Sequence, residues 1–156
     1  MRNSLLLFCF FAVIVFACNS GRLYENNLTI PKANWDIKNS LIYEVDMTDT
    51  ISLFNVLINV RHMGNYPYSN LFLFVTIKAP EGNSVCDTVE FTLADNKGKW
   101  YGKGLGDIYD IRKMYKKNSR FRQQGKYVFK IEQAMRLQQL PGICDAGIRI
   151  EKSNNR

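Results

Sequence analysis

The sequence predicts an all-β protein, an antiparallel two-sheet β-sandwich of about seven strands with a short tether and at most one short helix. Several short segments alternate apolar and polar residues, which is the period-2 pattern of a strand with one buried face. Turn-forming residues separate these segments, and no long segment has helical periodicity. The 156 residues, 46% of them hydrophobic, are enough for one packed domain.

The N-terminus predicts export and lipidation. Arg2 supplies a positive charge, and an unbroken apolar run follows over residues 5–17. A membrane-spanning helix needs about 20 apolar residues, so this run is too short to span a bilayer and fits a signal peptide. Residues 15–18 (VFAC) have the form of a bacterial lipobox, in which the thiol of Cys18 receives a diacylglyceryl group. We therefore expect cleavage after Ala17 and a membrane anchor of acyl chains, such as palmitate, on Cys18.

This processing divides the chain into four parts. The segment that follows the cleavage site is polar and is interrupted by a glycine and a proline, which is typical of a tether. The predicted parts are a cleaved signal peptide (1–17), a lipidated N-terminus and tether (18–34), a β-sandwich domain (35–152) and a C-terminal tail (153–156).

The first half of the predicted domain contains four strands. Residues 41–46 form a brief candidate strand, and 54–61 alternate apolar and polar residues throughout. The turn-rich segment 64–70 leads into 71–78, which is apolar on both faces and therefore predicts a central strand. Alternation returns over 85–93.

The second half is less regular. A hairpin-type turn precedes a short predicted strand at 100–105. Two alternating strands follow at 127–132 and 146–151. Residues 108–117 lie between the short strand and these two, and they are predicted to hold the single helical turn.

Basic residues concentrate in one segment of the chain. Residues 97–130 contain eleven Lys or Arg against two acidic residues, whereas the rest of the mature chain has a net charge of −3. The densest part predicts a docking surface for an acidic protein or lipid headgroups, with two aromatic side chains for apolar contact. A solvated basic loop is the open alternative. The candidate docking residues are Arg112, Lys113, Tyr115, Lys116, Lys117, Arg120, Phe121 and Arg122.

Five stretches, taken in order, resemble a known family. They are 66–74 (YPYSNLFLF), 87–95 (DTVEFTLAD), 98–110 (GKWYGKGLGDIYD), 125–136 (GKYVFKIEQAMR) and 142–152 (GICDAGIRIEK). Together they resemble the gliding-motility lipoproteins of the GldH type from Bacteroidota. The resemblance implies a non-enzymatic accessory of gliding or cell-envelope machinery, with envelope or gliding-machinery proteins as partners. The single functional residue that it transfers is the lipid-bearing Cys18.

Location and function leave an alternative. Residues 19–22 lack the acidic run associated with surface export in this phylum, which predicts an anchored protein that faces the periplasm. The alternative function is a glycan- or protein-binding β-sandwich module of the envelope, unrelated to motility. Such a module would use exposed aromatic residues such as Trp100, Tyr101 and Tyr109.

The sequence predicts no catalytic residues, no metal site and no cofactor. The single histidine, His62, excludes a multi-histidine metal centre and has no partner motif for base catalysis. The glycines of 102–106 lack the spacing of a nucleotide-binding loop and instead favour a tight bend. No nucleic-acid partner is expected for an exported, anchored protein.

Two pairs of residues are candidates for modification. Cys86 and Cys144 remain in the mature chain, where an exported pair can form a disulfide or can serve as two unrelated small hydrophobic residues. Thr50 and Thr88 follow aspartate and precede an aliphatic residue, which is the O-glycosylation pattern of the phylum that the resemblance implies. Thr50 is the better candidate, because Thr88 falls in a predicted strand.

Overall fold

The structure is a computed structural model that describes residues 21–153. Strands account for most of these residues, and a 3₁₀ turn at Pro31–Ala33 precedes the second strand. In chain order the strands are β1 (Arg22–Thr29), β2 (Asn34–Asp36), β3 (Leu41–Met47), β4 (Phe54–Met63), β5 (Asn70–Lys78), β6 (Ser84–Thr92), β7 (Lys103–Leu105), β8 (Ile108–Ser119), β9 (Gly125–Gln133), β10 (Gln139–Pro141) and β11 (Ile143–Lys152).

The strands form an antiparallel β-sandwich, as the alternation predicted. A large sheet has the order β1-β11-β4-β8-β7, and a small sheet has the order β3-β9-β5-β6. The short strands β10 and β2 pair as a separate ribbon. As predicted, β5 is a central strand, because it lies between β9 and β6.

One hydrophobic core lies between the two sheets. Alternate residues of β4 are fully buried, among them Val56 and Ile58. Tyr43 and Val45 are buried at alternate positions of β3. Trp35 on the short β2 is also fully buried, and its indole N–H donates a hydrogen bond to the carbonyl of Asn39 at 2.7 Å. Each fully buried large apolar side chain contributes about 1.5–3 kcal/mol, so these alternating positions supply most of the stability of the fold.

The predicted tether is wrong as a structural boundary. Residues 22–29 form β1, which pairs with β11 along its length as an edge strand of the large sheet. Tyr24 and Leu28 pack against the core, and Ile30 is part of it. The sequence hides this strand because its polar residues face solvent, and only a few apolar residues face the core. The sandwich therefore begins at Arg22 rather than at Trp35.

The predicted helical turn at 108–117 is also wrong, because these residues belong to the twelve-residue strand β8. Its pairing with β4 shifts register between Phe54 and Val56 and again between Val56 and Leu57. Such irregularities place extra residues in one strand and change which face the next side chains occupy. They break the alternation that would have identified β8 in the sequence.

The two ends of the sandwich carry different features. At one end, here called the N-terminal end, β1 begins at Arg22 and the loops 48–53, 79–83 and 120–124 connect the strands. The opposite, distal end carries the turn between β7 and β8. The ten residues of β4 run from one end to the other, which is a length of about 30 Å at roughly 3.3 Å per residue.

Candidate functional site

A polar cleft lies on the outer face of the large sheet. Its volume is about 670 Å³. Its floor consists of side chains on β1, β11, β4 and β8 that point away from the core, and residues 101–103 form one wall. The polar residues that line it are Asn27, Asn59, Arg61, Lys103, Asp110, Arg112 and Asp145.

Arg61 holds the floor together across three strands. It lies on β4 opposite Asp110 of β8 and Asp145 of β11. Its Nε donates to Asp110 Oδ1 at 2.7 Å, and its Nη1 donates to Asp145 Oδ2 at 3.1 Å. The hydrogen bond to Asp110 raises the pKa of the Arg61 guanidinium above its ordinary value. One cation is therefore fixed between two carboxylates.

Asn59 is the centre of a second row of hydrogen bonds. Its amide Nδ2 donates to Asn27 Oδ1 at 3.0 Å, and its Oδ1 accepts a hydrogen bond from Arg112 Nε at 2.7 Å. The Nη2 of Arg112 donates to Glu25 Oε1 at 2.7 Å. Partial burial works against ionisation of Glu25, but hydrogen bonding from Arg22 and the charge of Arg112 lower its pKa overall. The planar side chains of this row are thus held in fixed orientations.

The wall of the cleft depends on two glycines. A Cβ on Gly102 would lie 2.8 Å from the backbone oxygen of Asp110, and one on Gly104 would lie 1.7 Å from that of Ile108. Both distances are too short for a side chain, so these glycines allow the backbone near β7 to lie close against β8. The close approach leaves the neighbouring Tyr101 at the rim of the cleft with 58% of its surface exposed.

Sequence patterns did not identify most of the cleft. Asn59 and Arg61 occupy outward positions of the alternating strand β4, so the sequence shows which face they lie on. Asn27 on β1 and Asp145 on β11 are 118 residues apart in the sequence, and the pairing of these two strands brings them close together. The strand register alone reveals that these four side chains share one surface.

Beneath the cleft wall, His62 lies in an aromatic cluster. Its ring is fully buried, stacks on Tyr109 with 5.5 Å between ring centroids, and meets the edge of Trp100 at 4.6 Å. Its Nδ1 lies 3.0 Å from the carbonyl oxygen of Met63, which can only accept. Within residues 21–153, its Nε2 has no hydrogen-bond partner. Burial lowers the pKa of His62, so the ring is neutral near pH 7.

The three aromatic residues of the alternative glycan- or protein-binding module, Trp100, Tyr101 and Tyr109, do not form one exposed surface. Trp100 and Tyr109 are half-buried against His62. Tyr101 is exposed at the rim of the cleft. Of these three, Tyr101 is therefore the one available to a ligand.

The predicted basic docking segment divides into two parts. On β8, several of its side chains bind β6 of the small sheet and so connect the sheets along one side. Lys113 Nζ donates to the carbonyl oxygen of Glu90, Lys116 Nζ pairs with Asp87 at 2.6 Å, and the Tyr115 hydroxyl donates to the same Asp87 carboxylate at 2.6 Å. Hydrogen bonding from Lys116 and then Tyr115 lowers the pKa of Asp87. Arg112 belongs to the cleft, as described above.

The rest of the segment lies at the N-terminal end. Lys117, Arg120 and Arg122 are exposed there, and they form no ion pair within the described residues. Phe121 was predicted to offer apolar contact to a partner, and this prediction is wrong. Its side chain is 6% exposed and packs edge-to-face on Phe54 at 5.8 Å and on Tyr127 at 5.0 Å. Phe121 is a core residue that holds the 120–124 loop to the sandwich.

The two cysteines of the candidate disulfide do not meet. Cys86 is exposed on β6 of the small sheet, and Cys144 is half-buried on β11 of the large sheet. Both are free thiols in the structure. Burial raises the pKa of Cys144.

The remaining predicted sites are the modification sites. Thr50 is half-buried in the 48–53 loop, where Asp49 accepts hydrogen bonds from the backbone of Ile51 and Ser52. Thr88 is exposed on β6. O-glycosylation of either stays a prediction, and Cys18 lies outside the described residues.

Two structural features are absent from residues 21–153. No three His, Cys, Asp or Glu side chains there come together as a metal site would require. No helix in that part of the chain is long and apolar enough to cross a membrane.

Comparisons with known proteins give a consistent result. Residues 22–150 match the family model described as GldH lipoprotein. The chain is 39% identical over 165 aligned positions to the gliding motility lipoprotein GldH homolog of Christiangramia forsetii, covering 99% of this chain and 100% of that protein. It is 32% identical over 150 positions to the gliding motility lipoprotein GldH of Flavobacterium johnsoniae, covering 92% of each chain. Among solved structures, the Yersinia pseudotuberculosis-derived mitogen aligns with 85% of this chain and 89% of its own at 7% identity, with a TM-score of 0.33.

Proposed function

The chain belongs to the GldH lipoprotein family, and from that membership we propose that it is a non-enzymatic accessory of the gliding or cell-envelope machinery, anchored to an envelope membrane by lipid on Cys18. The match covers almost the whole sandwich, and two relatives named as gliding motility lipoproteins align with at least nine-tenths of the chain. We propose that its partners are envelope or gliding-machinery proteins and that the domain faces the periplasm.

The family match carries this proposal, and the start of β1 at Arg22, four residues after Cys18, supports the anchored orientation. Four Cα steps of at most about 3.6 Å each keep the two residues within about 14 Å. A lipid on Cys18 would thus hold the N-terminal end of the sandwich at the membrane. The distal end and the polar cleft would then face away from the bilayer, where other proteins can reach them.

The chemistry of the N-terminal end supports this orientation. Lys117, Arg120 and Arg122 are exposed cations at this end, and Ile51 in the 48–53 loop is 82% exposed. A cation close to an anionic membrane surface contributes about 1 kcal/mol to binding. We therefore narrow the predicted docking surface to these cations and assign them lipid headgroups of the anchoring membrane.

Fatty-acid labelling in the native host tests the anchor. Wild-type protein should incorporate an alkyne fatty acid, whereas Cys18→Ala should remain an unlabelled precursor that still carries its leader. Cys86→Ser is the matched control and should be labelled like the wild type, because its thiol lies within the folded domain. Label that persists in Cys18→Ala would exclude Cys18 as the lipid-bearing residue.

The accessory role needs a second measurement. Crosslinking of the wild-type protein in whole cells should recover envelope or gliding-machinery proteins, and Cys18→Ala should lose them because it is displaced from its membrane. Equal recovery from both would show that anchoring is not needed for partner binding.

A further inference from the structure

We propose that the polar cleft on the outer face of the large sheet is a binding site for a neutral oligosaccharide. This goes beyond the accessory role, because it assigns the domain a ligand of its own. The cleft volume of about 670 Å³ lies within the range of roughly 300–1,000 Å³ that is usual for sites of small ligands. Its polar floor distinguishes it from the apolar pockets that such sites usually have.

The charges of the cleft floor are matched, which disfavours an anionic ligand. The floor has two cations, Arg61 and Arg112, against two carboxylates, Asp110 and Asp145. Arg61 lies between both carboxylates, and Arg112 donates to Glu25, which also pairs with Arg22 and Arg149. Lys103 at the rim is the third cation among the residues that line the cleft, after Arg61 and Arg112. A phosphate or an acidic sugar would have to compete with the carboxylates to which both arginines are already bound. A ligand without charge meets no such competition.

The same network leaves hydrogen-bonding groups directed at a ligand. Within the described residues, the Nη2 of Arg61, the second carboxylate oxygens of Asp110 and Asp145, and the Nδ2 of Asn27 have no hydrogen-bond partner in the protein. They present donors beside acceptors on one surface. A sugar ring carries adjacent hydroxyl groups that each donate and accept, so it satisfies such a surface better than a ligand of one polarity.

The side chains of the floor are also fixed before any ligand arrives. Asn59 is held by Asn27 and Arg112, and Arg61 is held from both sides. Groups whose rotamers are already set lose little conformational entropy on binding. This matters for oligosaccharides, because their hydroxyl groups bind water almost as well as they bind protein.

Tyr101 completes the site at its rim. The phenol ring is 58% exposed beside the cleft. The apolar C–H face of a sugar ring can stack on such an aromatic surface while its hydroxyl groups contact the floor. The stacked ring supplies the apolar burial that the floor lacks.

Titration of the full chain with sugars tests this assignment. The lipidated protein is purified in a zwitterionic detergent without a sugar headgroup and is titrated calorimetrically with neutral gluco-, manno- and galacto-oligosaccharides and with acidic oligogalacturonates. We expect at least one neutral series to bind. Tyr101→Ala should weaken that binding by about tenfold, and Asn27→Ala should weaken it by about threefold to tenfold. Tyr68→Ala, an exposed tyrosine outside the cleft, is the matched control and should bind like the wild type.

Lys103→Glu separates neutral from acidic ligands. It should lower the affinity for an acidic oligosaccharide far more than the affinity for a neutral one, because it replaces a cation at the rim by an anion. The assignment is overturned if no neutral series binds, if Tyr101→Ala binds as well as the wild type, or if only acidic sugars bind and Lys103→Glu abolishes that binding. These results do not depend on where the protein is anchored, so failure here leaves the anchor on Cys18 to its own test.

Discussion

At the scale of single residues, His62 makes stability depend on pH. Its pKa in the folded protein is lowered by burial, while that of the unfolded chain stays near the ordinary value of about 6.5. The unfolded state therefore binds more protons below pH 6.5, and stability is lost as pH falls towards the folded pKa. The loss is at most about 1.4 kcal/mol for each pH unit.

Thermal melting between pH 7.5 and 5.5 measures this contribution. The Tm of the wild type should fall as the pH is lowered over that interval. The Tm of His62→Phe should fall less, because phenylalanine can occupy the aromatic cluster without titrating. Carboxylates with lowered pKa values, such as Asp87 and Glu25, titrate in both proteins and cancel in the comparison. Identical pH profiles for the two proteins would contradict a titrating, buried His62.

Phe121 gives a second prediction at the residue scale. Because it is buried against Phe54 and Tyr127, Phe121→Ala should lower the free energy of unfolding by roughly 3–5 kcal/mol. Phe74→Ala is the matched control, since this phenylalanine on β5 is 42% exposed and should cost far less. Denaturant unfolding measures both. A small effect at Phe121 would return it to the candidate docking surface.

At the scale of elements, β1 is part of the sandwich. A chain that starts at Pro31 would lack Tyr24, Leu28 and Ile30 and would expose the edge of β11. The lost burial is about 3–5 kcal/mol, which corresponds to a fall in Tm of roughly 10–20 °C. A chain that starts at Asn19 keeps β1 and is the control. Circular dichroism melting should separate them, and equal Tm values would restore the prediction of a tether.

At the scale of the whole molecule, the N-terminal end should bind anionic membranes. A chain without lipid that starts at Asn19 should cosediment with vesicles rich in phosphatidylglycerol and not with phosphatidylcholine vesicles. Salt should release it, because charges are screened over about 8 Å at physiological ionic strength. Replacing Lys117, Arg120 and Arg122 together by glutamate should abolish cosedimentation without lowering Tm, because these side chains form no ion pairs within the described residues.

A matched charge reversal on β8 gives the control for this experiment. Lys113→Glu combined with Lys116→Glu should lower Tm, because both lysines bind β6 through Glu90 and Asp87. This variant is tested at a temperature at which it stays folded. If it then fails to bind vesicles, Lys113 and Lys116 contribute to membrane binding and the assignment to the N-terminal end is wrong. Unchanged binding by the triple variant would exclude the N-terminal end.

The strands whose side chains alternate without interruption could be predicted from the sequence. Each of these strands buries side chains on one face or both, so the order of its apolar and polar residues reflects which face is buried. They are β3, β4, β5, β6, β9 and β11. The family could also be predicted from the sequence, because the matching motifs run in order along the sandwich. Burial restricts the choice of side chain at each position separately, so it leaves a pattern that can be seen in the linear sequence.

β1, β8 and the cleft depend on contacts that are seen only in the folded protein. β1 is an edge strand with few apolar residues, and register shifts disturb the alternation of β8. Asn27, Arg61 and Asp145 meet only because β1, β11 and β4 are neighbours in the large sheet. These neighbours are segments far apart in the chain, and no local pattern of side chains records which distant segments will pair.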